Sequence, residues 1–121
     1  YLVLLTPLSE ATRGIVDARV LAALKPSAFL VNLARGGVVD EDALVETLKA
    51  HRIAGAAIDV FLREPLPPEH PFWGLDNAFL TPHLGGFCDV YVDRAMPIIE
   101  ENMRAFLAGE PGRMVKVVQA G

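Results

Sequence analysis

Ala28-Phe-Leu-Val-Asn-Leu-Ala-Arg-Gly-Gly-Val-Val-Asp-Glu-Asp-Ala-Leu-Val-Glu-Thr-Leu48 is the stretch that decides the architecture. Its opening, Ala28-Phe-Leu-Val31, is apolar at every position, as in a strand covered on both faces of a parallel sheet, where neither face is kept for water. Arg35-Gly36-Gly37 breaks the run. From Asp40 the period changes: acidic residues occupy the first turn, facing the positive end of a helix dipole. Ala43, Leu44, Val45 and Leu48 then return at helical spacing along one side. Strand, glycine turn and helix in that order are the opening of a βαβ unit.

The same alternation continues in both directions. Upstream, Tyr1-Leu-Val-Leu-Leu5 is another buried strand, stopped by Thr6-Pro7, and Asp17 caps a short helix with Val20, Leu21 and Leu24 before Lys25-Pro26 ends it. Downstream, Ile53-Ala-Gly-Ala-Ala-Ile58 is a strand whose small residues admit a close neighbour at the backbone. Asn77-Ala-Phe-Leu80 is a further short strand, ended by Thr81-Pro82. Between them, Val60 to Asp76 holds Pro65, Pro67, Pro68 and Pro71 and is expected to be a long, stiff loop. Asp89 opens a helix to about Ala108, with Val92, Met96, Ile99, Met103 and Phe106 along one side, a kink or restart at Pro97, and Gly109 as terminator. Met114-Val-Lys-Val-Val118 reads as a final extended segment.

Strands alternating with helices predict an α/β fold with a parallel sheet. Right-handed crossovers then bring the strand C-termini to one edge, which is where such sheets bind ligands. Strand order is not encoded in this pattern.

Composition narrows the function. At 121 residues and 52% apolar, the chain suffices for one hydrophobic core. With 15 acidic against 11 basic side chains and no basic cluster, it lacks the positive footprint of a nucleic-acid binder. Cys88 has no second cysteine to pair with, and no Cys/His set has metal-ligand spacing, so a reducing cytosol and no metal are expected. No apolar run approaches the length of a membrane span. The chain has no initiator Met and starts in a buried strand, so upstream sequence is expected to be missing.

Chemistry-bearing residues follow each strand: Thr6-Pro7, then Arg35-Gly36-Gly37, then Asp59 and Glu64, then His83-Leu-Gly-Gly86. Each alone has an ordinary reading, as a surface arginine, a loop glutamate, a structural histidine or turn glycines. Four strand ends supplying a cation, acids and a base to one edge favour a site. Asp59, flanked by apolar residues at the end of a buried strand, needs a partner for its charge, either a cofactor amide or a nearby backbone N–H.

Asn32-Leu-Ala-Arg-Gly-Gly-Val-Val-Asp40, Gly55-Ala-Ala-Ile-Asp-Val-Phe61 with Glu64-Pro65, and Thr81-Pro-His-Leu-Gly-Gly86 resemble, in order and spacing, the signature segments of the D-isomer-specific 2-hydroxyacid dehydrogenases. Pro7-Leu-Ser-Glu-Ala-Thr-Arg-Gly14 resembles the family's loop after an earlier strand. The resemblance implies the second half of a Rossmann-type doubly wound sheet over residues 1–87, a connecting helix over 88–108, and over 109–121 a C-terminal segment returning to a substrate domain. It implies an oxidoreductase that transfers hydride between NAD or NADP and a small 2-oxo or 2-hydroxy acid such as glyoxylate or hydroxypyruvate, acting as a cytoplasmic homodimer.

By motif match, Arg35 binds the substrate carboxylate, His83 exchanges a proton with the C2 oxygen and Glu64 supports His83. Thr6, Pro7, Ala34, Arg35, Asp59, His83 and Gly86 fall where the family contacts the nicotinamide half of the cofactor. The physics agrees with these roles. A guanidinium holds a carboxylate through two parallel hydrogen bonds, and a carboxylate beside an imidazole favours its protonated form. Formate dehydrogenases resemble the family but carry glutamine where this chain has Glu64, which favours the proton-exchanging enzymes. Corepressors of the C-terminal-binding type share the motif residues and use the dinucleotide to control assembly; they are the alternative, ahead of an inactive remnant.

In the family, the glycine-rich pyrophosphate turn and the residue that selects NAD or NADP lie upstream of the position matched by Tyr1. The isolated 121-residue chain is therefore expected to be inactive and to bind dinucleotide weakly. Turnover by a verified sample of that length would contradict this.

Overall fold

Apolar runs become neighbouring strands because each can satisfy its backbone only by pairing with another. In the structure, a computed structural model that describes residues 1–117, β1 (Leu2–Leu4), β2 (Phe29–Asn32), β3 (Gly55–Ile58) and β4 (Ala78–Leu80) form a four-stranded sheet in the order β1-β2-β3-β4. All three pairings are parallel. The α/β expectation is met, and the order that the sequence left open is sequential. β2 lies one residue later than its apolar run suggests, and the other strands are shorter than theirs.

The helices sit where their caps put them. α1 (Ala18–Ala22) begins at Asp17, whose carboxylate accepts the N–H groups of Arg19 and Val20. α2 (Glu41–Lys49) begins at Asp40, which accepts the N–H of Ala43, with Glu41 and Asp42 in its first turn. The link from β3 to β4 contains only a 3-10 turn, Pro71–Gly74, as its prolines require.

The register sorts the side chains into two sets. Leu2, Leu30, Ala56 and Ala78 align across the sheet, as do Leu4, Asn32, Ile58 and Leu80, and these point to one face. That face builds the core with Leu21 of α1 and Leu44 and Leu48 of α2. Each fully buried leucine there contributes roughly 1.5–3 kcal/mol of transfer free energy. The opposite face carries Val3, Val31, Ala57 and Phe79, and Phe79 remains 69% exposed. Within these residues α1 and α2 cover one face of the strands, and the apolar composition of the other face marks it as fit for burial as well.

The chain divides into two units, Tyr1–Gly85 and Gly86–Gly121. In the second, α3 (Tyr91–Leu107) runs through Pro97 without a restart. It ends in a Schellman motif, with Gly109 at φ +73°, the Gly109 N–H on the Phe106 carbonyl and the Glu110 N–H on that of Ala105. The final extended segment does not form as a strand. A 3-10 turn at Pro111–Arg113 is followed by Val115, whose N–H and C=O are both taken by the side-chain amide of Asn102; Val118 lies outside the described residues. Among the described residues no helix is long and apolar enough to cross a membrane.

One glycine fixes how the loops beyond the sheet meet. A Cβ on Gly36 would lie 2.0 Å from the backbone carbon of Phe61 and 2.4 Å from the nitrogen of Leu62. Backbone cannot swing aside as a side chain can, so the turn after β2 rests directly on the segment after β3. Gly36→Ala in the full-length protein should cost about 3 kcal/mol or more by urea unfolding. Gly74→Ala, which meets nothing within 4 Å, should stay within about 0.5 kcal/mol.

Candidate active site

His83 sits in the turn that follows β4, with φ at +57°, a left-handed conformation that costs a non-glycine residue on the order of 1–3 kcal/mol. Asp59, at the end of β3, holds it there. The His83 N–H donates to the Asp59 carbonyl at 2.8 Å. The Asp59 carboxylate accepts the Thr81 hydroxyl at 2.5 Å and the N–H groups of Leu84 and Gly85, each at 2.7 Å. Burial pushes the Asp59 carboxyl up, but these three donors outweigh it and hold it below the ordinary aspartate value of 3.8. Of the two partners that the sequence left open, the backbone N–H groups are the ones this buried charge has. Gly85 is small for the same reason: a Cβ there would lie 2.9 Å from Asp59 Oδ2.

This turn aims the ring at Glu64. His83 Nδ1 lies 2.8 Å from Glu64 Oε2, while Glu64 Oε1 accepts the Phe61 N–H at 2.9 Å. The hydrogen bond from His83 holds Glu64 below the usual carboxylate range, against the opposing effect of burial. An ionised carboxylate only accepts, so Nδ1 carries the proton and Nε2 is the nitrogen left for another partner. His83 and Glu64 keep 42% and 36% of their side-chain surface exposed, so a solute can reach the pair. Both border a cavity of about 480 Å³ with Thr81 at its rim and Phe61, Leu66 and Trp73 in its walls.

Arg35 arrives from β2. Asn32, buried at the end of that strand, accepts the Ala34 N–H and donates its amide to the Arg35 carbonyl, which sets the turn. The exposed Arg35 side chain bonds the Ala34 carbonyl at 2.6 Å, and its charge adds a small lowering to Glu64. A second depression, also about 480 Å³, is lined by Thr6, Pro7, Ala34 and Arg35 together with Leu5, Leu8 and Leu33. The structure thus brings His83 to Glu64, and Thr6 and Pro7 to Ala34 and Arg35. The Asp59 carboxylate is turned to the His83 loop, and Gly86 belongs to the second unit.

Asn32, Thr12 and Thr81 escape the sequence reading. Thr12 donates to the Pro7 carbonyl and accepts the Ser9 N–H, shaping the loop after β1. A polar residue ending an apolar strand was the signal available for Asn32; nothing local marks Thr12.

A carboxyl whose folded pKa lies below its unfolded value adds stability that is complete above the unfolded value and lost as pH falls through the folded one. Asp59 and Glu64 both act in this sense. Asp59→Asn turns an N–H donor toward the backbone donors and should cost about 2 kcal/mol at pH 7 in urea unfolding of the full-length protein. Its deficit relative to wild type should narrow as the pH is lowered toward 3. A deficit independent of pH would show that the Asp59 charge is not what holds the turn.

Comparisons with known proteins agree with this geometry. Residues 1–85 match the NAD binding domain of the D-isomer specific 2-hydroxyacid dehydrogenases. A glyoxylate reductase of Thermofilum pendens is 43% identical over 86% of this chain and 31% of its own length. Among solved structures, a D-isomer specific 2-hydroxyacid dehydrogenase from Xanthobacter autotrophicus in complex with NADPH superposes with a TM-score of 0.82 at 44% identity, over 97% of this chain and 47% of that one. The D-lactate dehydrogenase of Lactobacillus jensenii with NAD+ gives 0.84 at 30% identity, over 98% of this chain and 39% of that one. The chain spans about a third of the length of the curated relatives it matches. Its parallel sheet, its strand-end residues and the match over residues 1–85 together establish that this chain belongs to the D-isomer specific 2-hydroxyacid dehydrogenases, through their NAD-binding domain.

Proposed function

We propose that the protein bearing this chain is an NAD- or NADP-dependent oxidoreductase that interconverts small 2-oxo acids and D-2-hydroxy acids, such as glyoxylate, hydroxypyruvate or a similar acid. The observation that carries this reading is the 2.8 Å His83–Glu64 pair, open to solvent at the C-terminal edge of the sheet.

The depression lined by Thr6, Pro7, Ala34 and Arg35 fits the nicotinamide half of a dinucleotide: it is open, lies on the ligand-binding edge, and mixes apolar walls with a hydroxyl and backbone groups. When bound there, the cofactor supplies or accepts the hydride at C2 of the substrate. Everything else falls to side chains. Arg35 holds the substrate carboxylate through its planar fork and orients the C2 carbonyl. His83 Nε2 gives its proton to the C2 oxygen as reduction proceeds and takes it back in oxidation. Glu64 at Nδ1 fixes the tautomer and stabilises the imidazolium that donates. Homodimerisation and a cytosolic location belong to the same reading, the latter supported by a single cysteine with no partner.

The test is steady-state oxidation of NADH and NADPH by the full-length protein against a panel of 2-oxo acids. His83→Ala should lower kcat by roughly a hundred- to ten-thousandfold. Glu64→Gln should make reduction fade at a lower pH than in wild type while oxidation suffers less, because the neutral amide no longer favours imidazolium. Tight dinucleotide binding with no turnover on any 2-oxo acid would overturn the enzymatic reading.

A further inference from the structure

Behind the His83–Glu64 pair lies a second histidine–carboxylate contact. His70 Nε2 is 3.3 Å from Glu41 Oε1, with side chains only 17% and 11% exposed. The other oxygen, Glu41 Oε2, accepts the N–H of Leu62 at 3.0 Å. His70 Nδ1 accepts the N–H of Phe72 at 3.3 Å, which leaves the ring proton on Nε2.

One Glu41 oxygen thus holds the Leu62 N–H, while the other lies close to the His70 ring. A glutamine keeps an acceptor oxygen for the Leu62 N–H, whereas an alanine removes it. The partner at Leu62 matters because the 61–62 segment belongs to the turn of Glu64. The Phe61 N–H is bonded to Glu64 Oε1, and the Phe61 carbonyl and Leu62 nitrogen rest on Gly36. Glu41 reaches this segment from the first turn of α2, and His70 reaches Glu41 from the far end of the proline-rich loop.

We infer that Glu41, braced by His70, is a positioning residue for Glu64: it anchors the 61–62 segment so that the Glu64 carboxylate meets His83 Nδ1. This rests on the reading of His83 and Glu64 as the proton-exchanging pair. It separates Glu41 from its neighbour Asp42, whose acidity serves the helix N-terminus alone. Releasing the Leu62 N–H frees the turn to rotate, and Glu64 then spends less time within hydrogen-bonding distance of the ring.

The experiment is the pH profile of kcat/KM for 2-oxo acid reduction by the full-length protein, measured for wild type, Glu64→Gln, Glu41→Ala and Glu41→Gln, with thermal unfolding of each. Glu64→Gln should move the high-pH limb to lower pH, and Glu41→Ala should move it in the same direction by a smaller amount. Glu41→Gln, which keeps an acceptor for the Leu62 N–H, should fall between wild type and Glu41→Ala and serves if the alanine variant does not fold. A limb that moves for Glu64→Gln but stays in place for both Glu41 variants, whatever their Tm, would overturn this inference alone. A limb that Glu64→Gln leaves unmoved would overturn the catalytic pair and this inference with it.

Discussion

A buried carboxylate at the end of one strand governs the geometry of the next strand's loop. Asp59 is the link: its three donors all lie in the turn after β4, and its own carbonyl takes the His83 N–H. A charge in that position would be costly without partners, and the turn's left-handed histidine would be costly without a restraint. Each offsets the other. Because both lie at the C-terminal ends of adjacent parallel strands, the contact follows from sheet topology as much as from the residues.

The remaining site elements converge on the segment formed by Phe61 and Leu62. Gly36 presses on it from the β2 turn that carries Arg35, Glu64 folds back onto its N–H, and Glu41 holds it from α2. The turn after β2, the first turn of α2 and the loop after β3 are thereby set relative to one another through one backbone–backbone contact and two carboxylate–backbone hydrogen bonds. Such fixing matters for a reacting pair, since misplacement by about 1 Å can cost a hundredfold in rate.

Much of this was legible before any coordinates. Asp17 as a cap, the helix from Asp40, the strand–turn–helix alternation, the proline-rich loop and Gly109 as terminator all follow from local backbone chemistry and appear, whereas the helix expected from Asp89 begins at Tyr91. The residues at the strand ends were legible as a set because a parallel sheet collects its C-termini. What failed depended on neighbours. Met114 to Val117 join no sheet among the described residues. Gly36 was readable as a turn glycine, and it is one, but its packing against the Phe61 backbone was not.

The sequence by itself determined the types of element, their order, the edge on which the chemistry-bearing residues collect, and the pairing of Arg35, Glu64 and His83 with one family's motifs. These depend on periodicity, caps and local spacing, which are properties of the chain within a few residues. Only the tertiary structure decided the sequential strand order, the donors that neutralise Asp59, and the chain of contacts from His70 through Glu41 to the turn of Glu64. Those contacts join residues about 20 or more positions apart, such as Glu41 and Leu62 or Asp59 and Gly85. Their existence rests on how the loops pack, and nothing in local sequence specifies which donor a buried oxygen will meet.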